Sequence, residues 1–182
     1  MAATGANMSA VPAALAACGR LASAARAAGV LVAFAALRTT AETESATWAV
    51  RARRLGVRGE GGLCRAGTVG EAFFGMHPEA GDLVIRKSRY SAFFGTALAE
   101  TLRQRRIDTL VMGGLTTECC VDCTVRDAFH MDFQVFLAED ACAAYEPDLH
   151  EGALKALALS CAILAGSDDI GAAWSASRGP RP

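Results

Sequence analysis

The chain has almost no net charge: 18 Lys and Arg stand against 19 Asp and Glu, a formal −1 at neutral pH. The basic surplus that would hold nucleic acid or an anionic membrane surface is missing, which leaves a small molecule or a second copy of the chain as the expected partner. Long apolar runs are missing too. Arg20 and Arg26 interrupt the alanine-rich start before it reaches the roughly 18 residues that cross a bilayer. That start also lacks the basic stretch that opens a secretory signal and suits an amphipathic helix better. Histidine is scarce, and His77, His130 and His150 stand in no spacing that would hold a metal. Cysteine is plentiful, but seven residues at irregular spacing argue against a disulfide framework and for the reduced thiols of a soluble, cytoplasmic protein. With 182 residues, 52% of them apolar, and no internal repeat or low-complexity linker, one domain over residues 1–182 is expected.

What is present reads as alternating helices and strands. Leu15, Cys18, Leu21, Ala22 and Ala25 recur at helical spacing between Val11 and Ala28, and Gly29 stops that helix. "VLVAFAAL" then reads as a strand, and residues 38–67 as a long loop with short helical pieces. "DLVIRK", "TLVMGG", "FQVFLA" and "AILAG" read as further strands. Between them "GTALAETLRQRR", "TECCVDCTVRDAFHM" and "LHEGALKALALSCA" read as helices, and "SASRGPRP" as a frayed tail. Short, almost wholly apolar strands separated by helices predict a mostly parallel sheet covered on both faces, a three-layer α/β/α fold of Rossmann-like type. Ligands of such sheets collect beyond the carboxyl ends of the strands, where Lys87, Arg89 and a crowd of cysteines fall.

That crowd is Cys119, Cys120 and Cys123, within "GGLTTECCVDCTVRDA". Structural zinc would want a second C-x-x-C pair, which is lacking, and a thioredoxin-like pair would want aromatic, glycine and proline surroundings that are also lacking. If Thr117 caps the helix, Cys120 sits in its first turn, where free amides and the helix dipole favour a thiolate. Cys123, one turn on, reads as a buried filler, Cys119 has no argued role, and Cys18, Cys64, Cys142 and Cys161 read as packing residues. Lys87 ends a buried strand at the same rim, where its charge needs a partner or a task. An ammonium there would lower a nearby thiol pKa and hold negative charge developing on a substrate.

From Gly81 to Leu157, and more weakly through the first helix and strand, the sequence resembles the isochorismatase-like cysteine hydrolases. The resemblance is carried by the lysine after "DLVIR" and by "GLTTECCV", in which glycine, two small residues, threonine and two variable positions precede cysteine and valine. It implies that Lys87 and Cys120 are catalytic and that the Leu115–Thr116 peptide bond is cis. It also implies that the Thr116 and Cys120 amides form an oxyanion hole. "KSRYSAFFGTAL" is especially similar to ureidoacrylate and related carbamoyl hydrolases, which would set Tyr90 against the substrate. The implied activity is hydrolysis of a C–N bond in a small amide, ureido or carbamoyl compound through a thioester on Cys120, by a homo-oligomer of two or four chains. Some nicotinamidases of the family hold a metal with aspartate and histidine; no metal or other cofactor is expected here. Arg126 and Asp127 are expected to pair with each other, and Glu139, Asp140 and His150 to serve caps and supporting bonds.

The resemblance also marks a gap. The family's third catalytic residue is an aspartate on a first strand that lies centrally in the sheet, and no carboxylate occurs from Met1 to Val11. Without that strand two inner edges of the sheet are left unpaired. The expectation is a longer chain, beginning upstream of Met1, that supplies both strand and aspartate. Two other readings stay open: a catalytically dead binding module of the same fold, and a thiol redox protein using Cys120 and Cys123.

Overall fold

The computed structural model describes residues 5–56 and 63–177. Helix α1 runs Val11–Ala28, as its periodicity predicts, with proline in its first turn and Gly29 closing it in the left-handed conformation at φ 72°. Its buried stripe is made of small residues, Val11, Ala14, Ala17, Ala22 and Ala25, while Leu15, Cys18 and Leu21 are only half-buried. The elements that follow are β1 (Ala33–Leu37), α2 (Ala46–Arg54), β2 (Leu83–Lys87), α3 (Leu98–Gln104) and β3 (Thr109–Leu115). After a π-helical turn at Thr117–Val121 come α4 (Asp122–His130), β4 (Gln134–Ala143), α5 (Pro147–Ser160), β5 (Ile163–Ala165) and α6 (Ser167–Ala176). Helix α6 was not anticipated, and it takes in the start of the expected tail. The rest of that tail lies outside the described residues.

All strand pairing is parallel, but the strands form two sheets. β1 pairs with β2 from Ala33↔Leu83 to Leu37↔Lys87, and β3, β4 and β5 form a second sheet in that order. Among the described residues β1 and β3 each pair along one edge only, the two edges that the resemblance leaves without a central strand. The larger sheet is covered on both faces. On one, Leu98, Leu102, Val121, Val125, Ala128, Phe133, Val135, Leu137 and Leu157 bring α3, α4 and α5 into a common core. On the other, Ala17 of α1 and Ile170 of α6 pack with Ala138 and Ala141. Among the described residues no helix is long and apolar enough to cross a membrane.

Near the carboxyl end of β3 the register slips: Met112 faces Leu137, but Gly114 already faces Cys142. The extra residues on β4 form a bulge that reverses which side chains face which layer. Val135 and Leu137 belong to the α3–α5 core and Ala138 to the α1–α6 core; beyond the bulge Ala141 joins the α1–α6 core and Cys142 the other. Gly113 makes this possible, because a Cβ there would lie 3.1 Å from both the Cβ and the carbonyl oxygen of Ala141. The bulge sits immediately before the segment that carries the crowded cysteines.

Leu157 is fully buried in the main core and Leu159, on the same helix, is 87% exposed. Leu157→Ala should cost about 2–5 kcal/mol of stability through lost burial and an unfilled cavity, and Leu159→Ala less than about 0.5 kcal/mol. Thermal or urea unfolding of the two variants checks this; equal effects would contradict the packing described.

Candidate active site

Lys87 ends β2 with 4% of its surface exposed. Its ammonium donates a hydrogen bond to the Tyr90 carbonyl oxygen and, by charge and hydrogen bonding, favours the ionised form of Cys120. A charge that deep is tolerable only with such partners. The two residues come from different sheets, and the segment after Lys87 ties them together. There the Ala92 amide donates to Thr124 Oγ1 (3.1 Å), which in turn donates to the Cys120 carbonyl (2.6 Å), while Ala92 and Phe93 enter the core beside Val121 and Val125.

Cys120 lies in the π-helical turn. The Thr116 carbonyl accepts from the amides of Cys119 (3.2 Å) and Val121 (3.1 Å), and the Cys120 amide between them is not among its donors. The wider π turn thus leaves at the site an amide that a regular first turn would have engaged. The Leu115–Thr116 peptide bond is cis. Thr117 does not cap the helix as the sequence suggested. It is fully buried, and its hydroxyl is 2.8 Å from His150 Nδ1, a bond that fastens the turn to α5.

The Cys120 thiol is lowered from its ordinary range to about 6, first by a hydrogen bond from the Cys119 thiol and then by the charge and hydrogen bond of Lys87; burial and Glu118 oppose the shift. Cys119, expected to have no role, is the donor, and giving up its own proton becomes correspondingly harder. Cys123 is half-buried, and burial pushes its thiol up, as it does that of Cys64. Cys64, expected as a packing residue, is half-buried, and after burial the charges of Cys120 and Lys87 also bear on its thiol. It arrives through β1, since the Thr39 amide donates to the Cys64 carbonyl (3.2 Å) and Thr39 Oγ1 to the Leu63 carbonyl (2.8 Å).

Tyr90 packs its ring against Trp48 of α2, centroids 5.0 Å apart, and burial first, then Cys119 and Cys120, disfavour its ionisation. Arg89 lies over the same indole at 5.5 Å and donates to the Thr43 carbonyl (2.8 Å), so α2, capped by Ser45, is fixed over the rim. Tyr90 and Cys123 line a surface cleft of about 440 Å³ with Phe94, Asp122, Arg126 and His130; Cys120 lies outside it. A second cleft, of about 410 Å³, is lined by Arg26, His77 and Glu79 and takes in neither Lys87, Tyr90 nor any of the crowded cysteines. Arg126 pairs with Asp122 at 2.9 Å, one turn back on the helix, and not with Asp127 as expected. Asp140 accepts from the Ser167 amide (2.7 Å) at the start of α6, the supporting part expected of it. Asp148 and His150 stand in an aspartate-x-histidine spacing, yet among the described residues no three His, Cys, Asp or Glu side chains group as a metal set.

The profile of the Isochorismatase domain matches residues 1–169. The chain belongs to the isochorismatase family. Of curated relatives, ureidoacrylate amidohydrolase RutB of Variovorax paradoxus is 44% identical over 79 residues, 43% of this chain and 31% of that protein. The chain thus spans about a third of the length of the curated relatives it matches. Among solved structures, an isochorismatase family protein from Desulfovibrio vulgaris superposes with a TM-score of 0.74 at 31% identity, covering 94% of this chain and 87% of that one. N-carbamoylsarcosine amidase from Thermoplasma acidophilum superposes at 0.70 and 26% identity, covering 87% and 85%. This isochorismatase-family chain therefore shares the relatives' fold across most of its length.

Because thiolate alkylates and thiol does not, labelling of Cys120 by iodoacetamide should rise as pH increases through about 6 and fall below it. In mildly acidic buffer Cys123 and Cys64 should lag far behind. Lys87→Met should move the Cys120 midpoint upward, toward the ordinary thiol value of about 8.5. Peptide mass spectrometry across a pH series reads both outcomes; a midpoint unmoved by Lys87→Met, or Cys123 labelled as fast as Cys120, contradicts this account.

Proposed function

We propose that the protein is a cysteine-dependent amidohydrolase that cleaves a C–N bond in a small amide, ureido or carbamoyl compound. The observation that carries this reading is the Cys120 thiol lowered to about 6 beside the buried Lys87 ammonium. In the reading, the Cys120 thiolate attacks the carbonyl carbon, and negative charge collects on the carbonyl oxygen. The amine then leaves, and water hydrolyses the thioester. The Thr116 and Cys120 amides receive the oxyanion, which the π turn supports by leaving the Cys120 amide off the Thr116 carbonyl. Lys87 steadies the thiolate and the charge that grows nearby, and Tyr90, held by Trp48, borders the substrate. Assembly as a dimer or tetramer belongs to the same proposal.

The substrate class follows the relatives, whose names specify ureidoacrylate and N-carbamoylsarcosine. In both compounds a carbonyl carries a terminal –NH2, a compact group suited to a site whose thiol is half-buried. The protein should release ammonia from one or both. Cys120→Ala should lower the rate by at least about 10³-fold, as loss of a nucleophile does. Acid quenching during turnover should trap the acyl group on Cys120, visible as a mass increase on its peptide. Ammonia release that survives Cys120→Ala would refute the nucleophile assignment.

A further inference from the structure

Among the described residues Cys64 is the one cysteine held in the left-handed backbone region, at φ 53°, a conformation costly to any residue with a Cβ. Thr39, itself fully buried, holds it there. The Thr39 amide donates to the Cys64 carbonyl (3.2 Å), Thr39 Oγ1 donates to the Leu63 carbonyl (2.8 Å), and the Thr39 carbonyl accepts from the Ala66 amide (2.8 Å). One residue earlier, the Arg38 amide donates to the Lys87 carbonyl (2.8 Å). Successive amides of an extended chain point to opposite sides, so Cys64 lies along the edge opposite β2, one hydrogen-bond step past Lys87. Its thiol and that of Cys120 are both half-buried, within reach of small solutes. After burial, Cys120 is the first charge to bear on Cys64 and Lys87 the second, and Tyr145, just past β4, feels both cysteines. The other two thiols of the crowd are worse placed to join Cys120. Cys119 is its neighbour in the chain, and Cα atoms across a trans peptide stand about 3.8 Å apart, short of the roughly 4.4–6.8 Å that a disulfide spans. Cys123 lines the cleft beside Phe94, which Cys120 does not enter.

We infer that Cys120 is a site of reversible oxidation by a hydroperoxide, with Cys64 as the thiol that closes the disulfide. The Cys120 thiolate attacks the terminal peroxide oxygen, so that an S–O bond forms and the O–O bond breaks. The pair from the O–O bond goes to the departing oxygen, which takes a proton from solvent and leaves as water or an alcohol. Sulfur is oxidised by two electrons and the peroxide reduced by the same two, leaving Cys120 as a sulfenic acid. The Cys64 sulfur then attacks the sulfenic sulfur: the S–S bond forms, the S–O bond breaks, and the oxygen leaves as water with the Cys64 proton. Cys120 starts the sequence because its thiolate persists near neutral pH, and Cys64, whose thiol burial pushes up, follows. Once closed, the disulfide withholds the nucleophile from further oxidation to sulfinic acid, and a dithiol reopens it. The pairing needs only the two thiols and does not rest on the amidohydrolase reading.

The test treats the full chain with hydrogen peroxide near neutral pH, with Cys64→Ser alongside, and digests both without reduction for peptide mass spectrometry. Wild type should yield the Cys64 peptide joined to the Cys120 peptide, with fragmentation placing the bond on Cys120 and not on Cys119 or Cys123. Dithiothreitol should then restore iodoacetamide labelling of Cys120 in full. In Cys64→Ser the same peroxide dose should carry Cys120 to sulfinic acid, so that dithiothreitol restores less than about a tenth of the labelling. Equal labelling of the two proteins before peroxide shows that the variant's site is intact; should the variant fail to fold, the linked peptide in wild type decides. A bond from Cys120 to Cys119 or Cys123 as the main product overturns the inference, as does equal recovery in the two proteins. So does a wild-type Cys120 that stays reduced under peroxide or reaches sulfinic acid without first joining Cys64. Ammonia release does not enter these readouts, so failure of the amidohydrolase reading leaves them unchanged.

Discussion

A buried ammonium needs an answer, and the organisation of the site follows from the one Lys87 receives. It is carried to the end of β2 in the smaller sheet and answered by the Tyr90 carbonyl in its own loop and by a sulfur at the end of the larger sheet. Holding those groups together requires the loop after β2 to pack into the core beneath α4, where Phe93 lies beside Val121, Val125 and Phe133. The hydrogen-bond relay from Ala92 through Thr124 to Cys120 then fixes the sulfur relative to the lysine. Hydrophobic burial thus sets the distance across which the electrostatics act, and the electrostatics in turn make burial of the lysine tolerable.

The turn that bears Cys120 is prepared by the strand before it. Gly113 lets β3 and β4 approach closely enough for the bulge, and the bulge precedes the segment whose π-helical winding frees the Cys120 amide. Thr117, tied to His150, anchors the other side of the turn to α5. Thiol and amide, both of Cys120, are therefore set by the turn after β3, and the ammonium by the end of β2 in the other sheet, which is why no single segment would keep the geometry alone.

Much of this could be read from the chain. The periodicity of Val11–Ala28 and the apolar stretches within residues 83–87 and 109–115 translate directly into elements, although β2 alternates half-buried Leu83 and Ile85 with exposed Val84 and Arg86 and is not the doubly buried strand its composition suggested. Lys87 and Cys120 were legible because a charged residue ending such a run, and a cysteine opening a helix, are chemically conspicuous. Less legible were contributions that depend on tertiary arrangement. Cys64 and Trp48 reach the rim from a segment without a periodic signal, and the Cys119 hydrogen bond depends on a π turn that residue type does not announce. Arg126 chose Asp122 over Asp127 because residues four apart share a helix face and adjacent ones do not.

The division of the strands into two sheets has a consequence for how the chain behaves among its own copies. Along β1 and β3, "AFAAL" and "TLVMGGL", no proline and no charged side chain interrupts an edge that is unpaired among the described residues. Edges of that composition lack the gatekeepers by which natural sheets discourage edge-to-edge growth. Each such edge therefore offers its backbone donors and acceptors to a further strand without a side chain that would discourage the pairing.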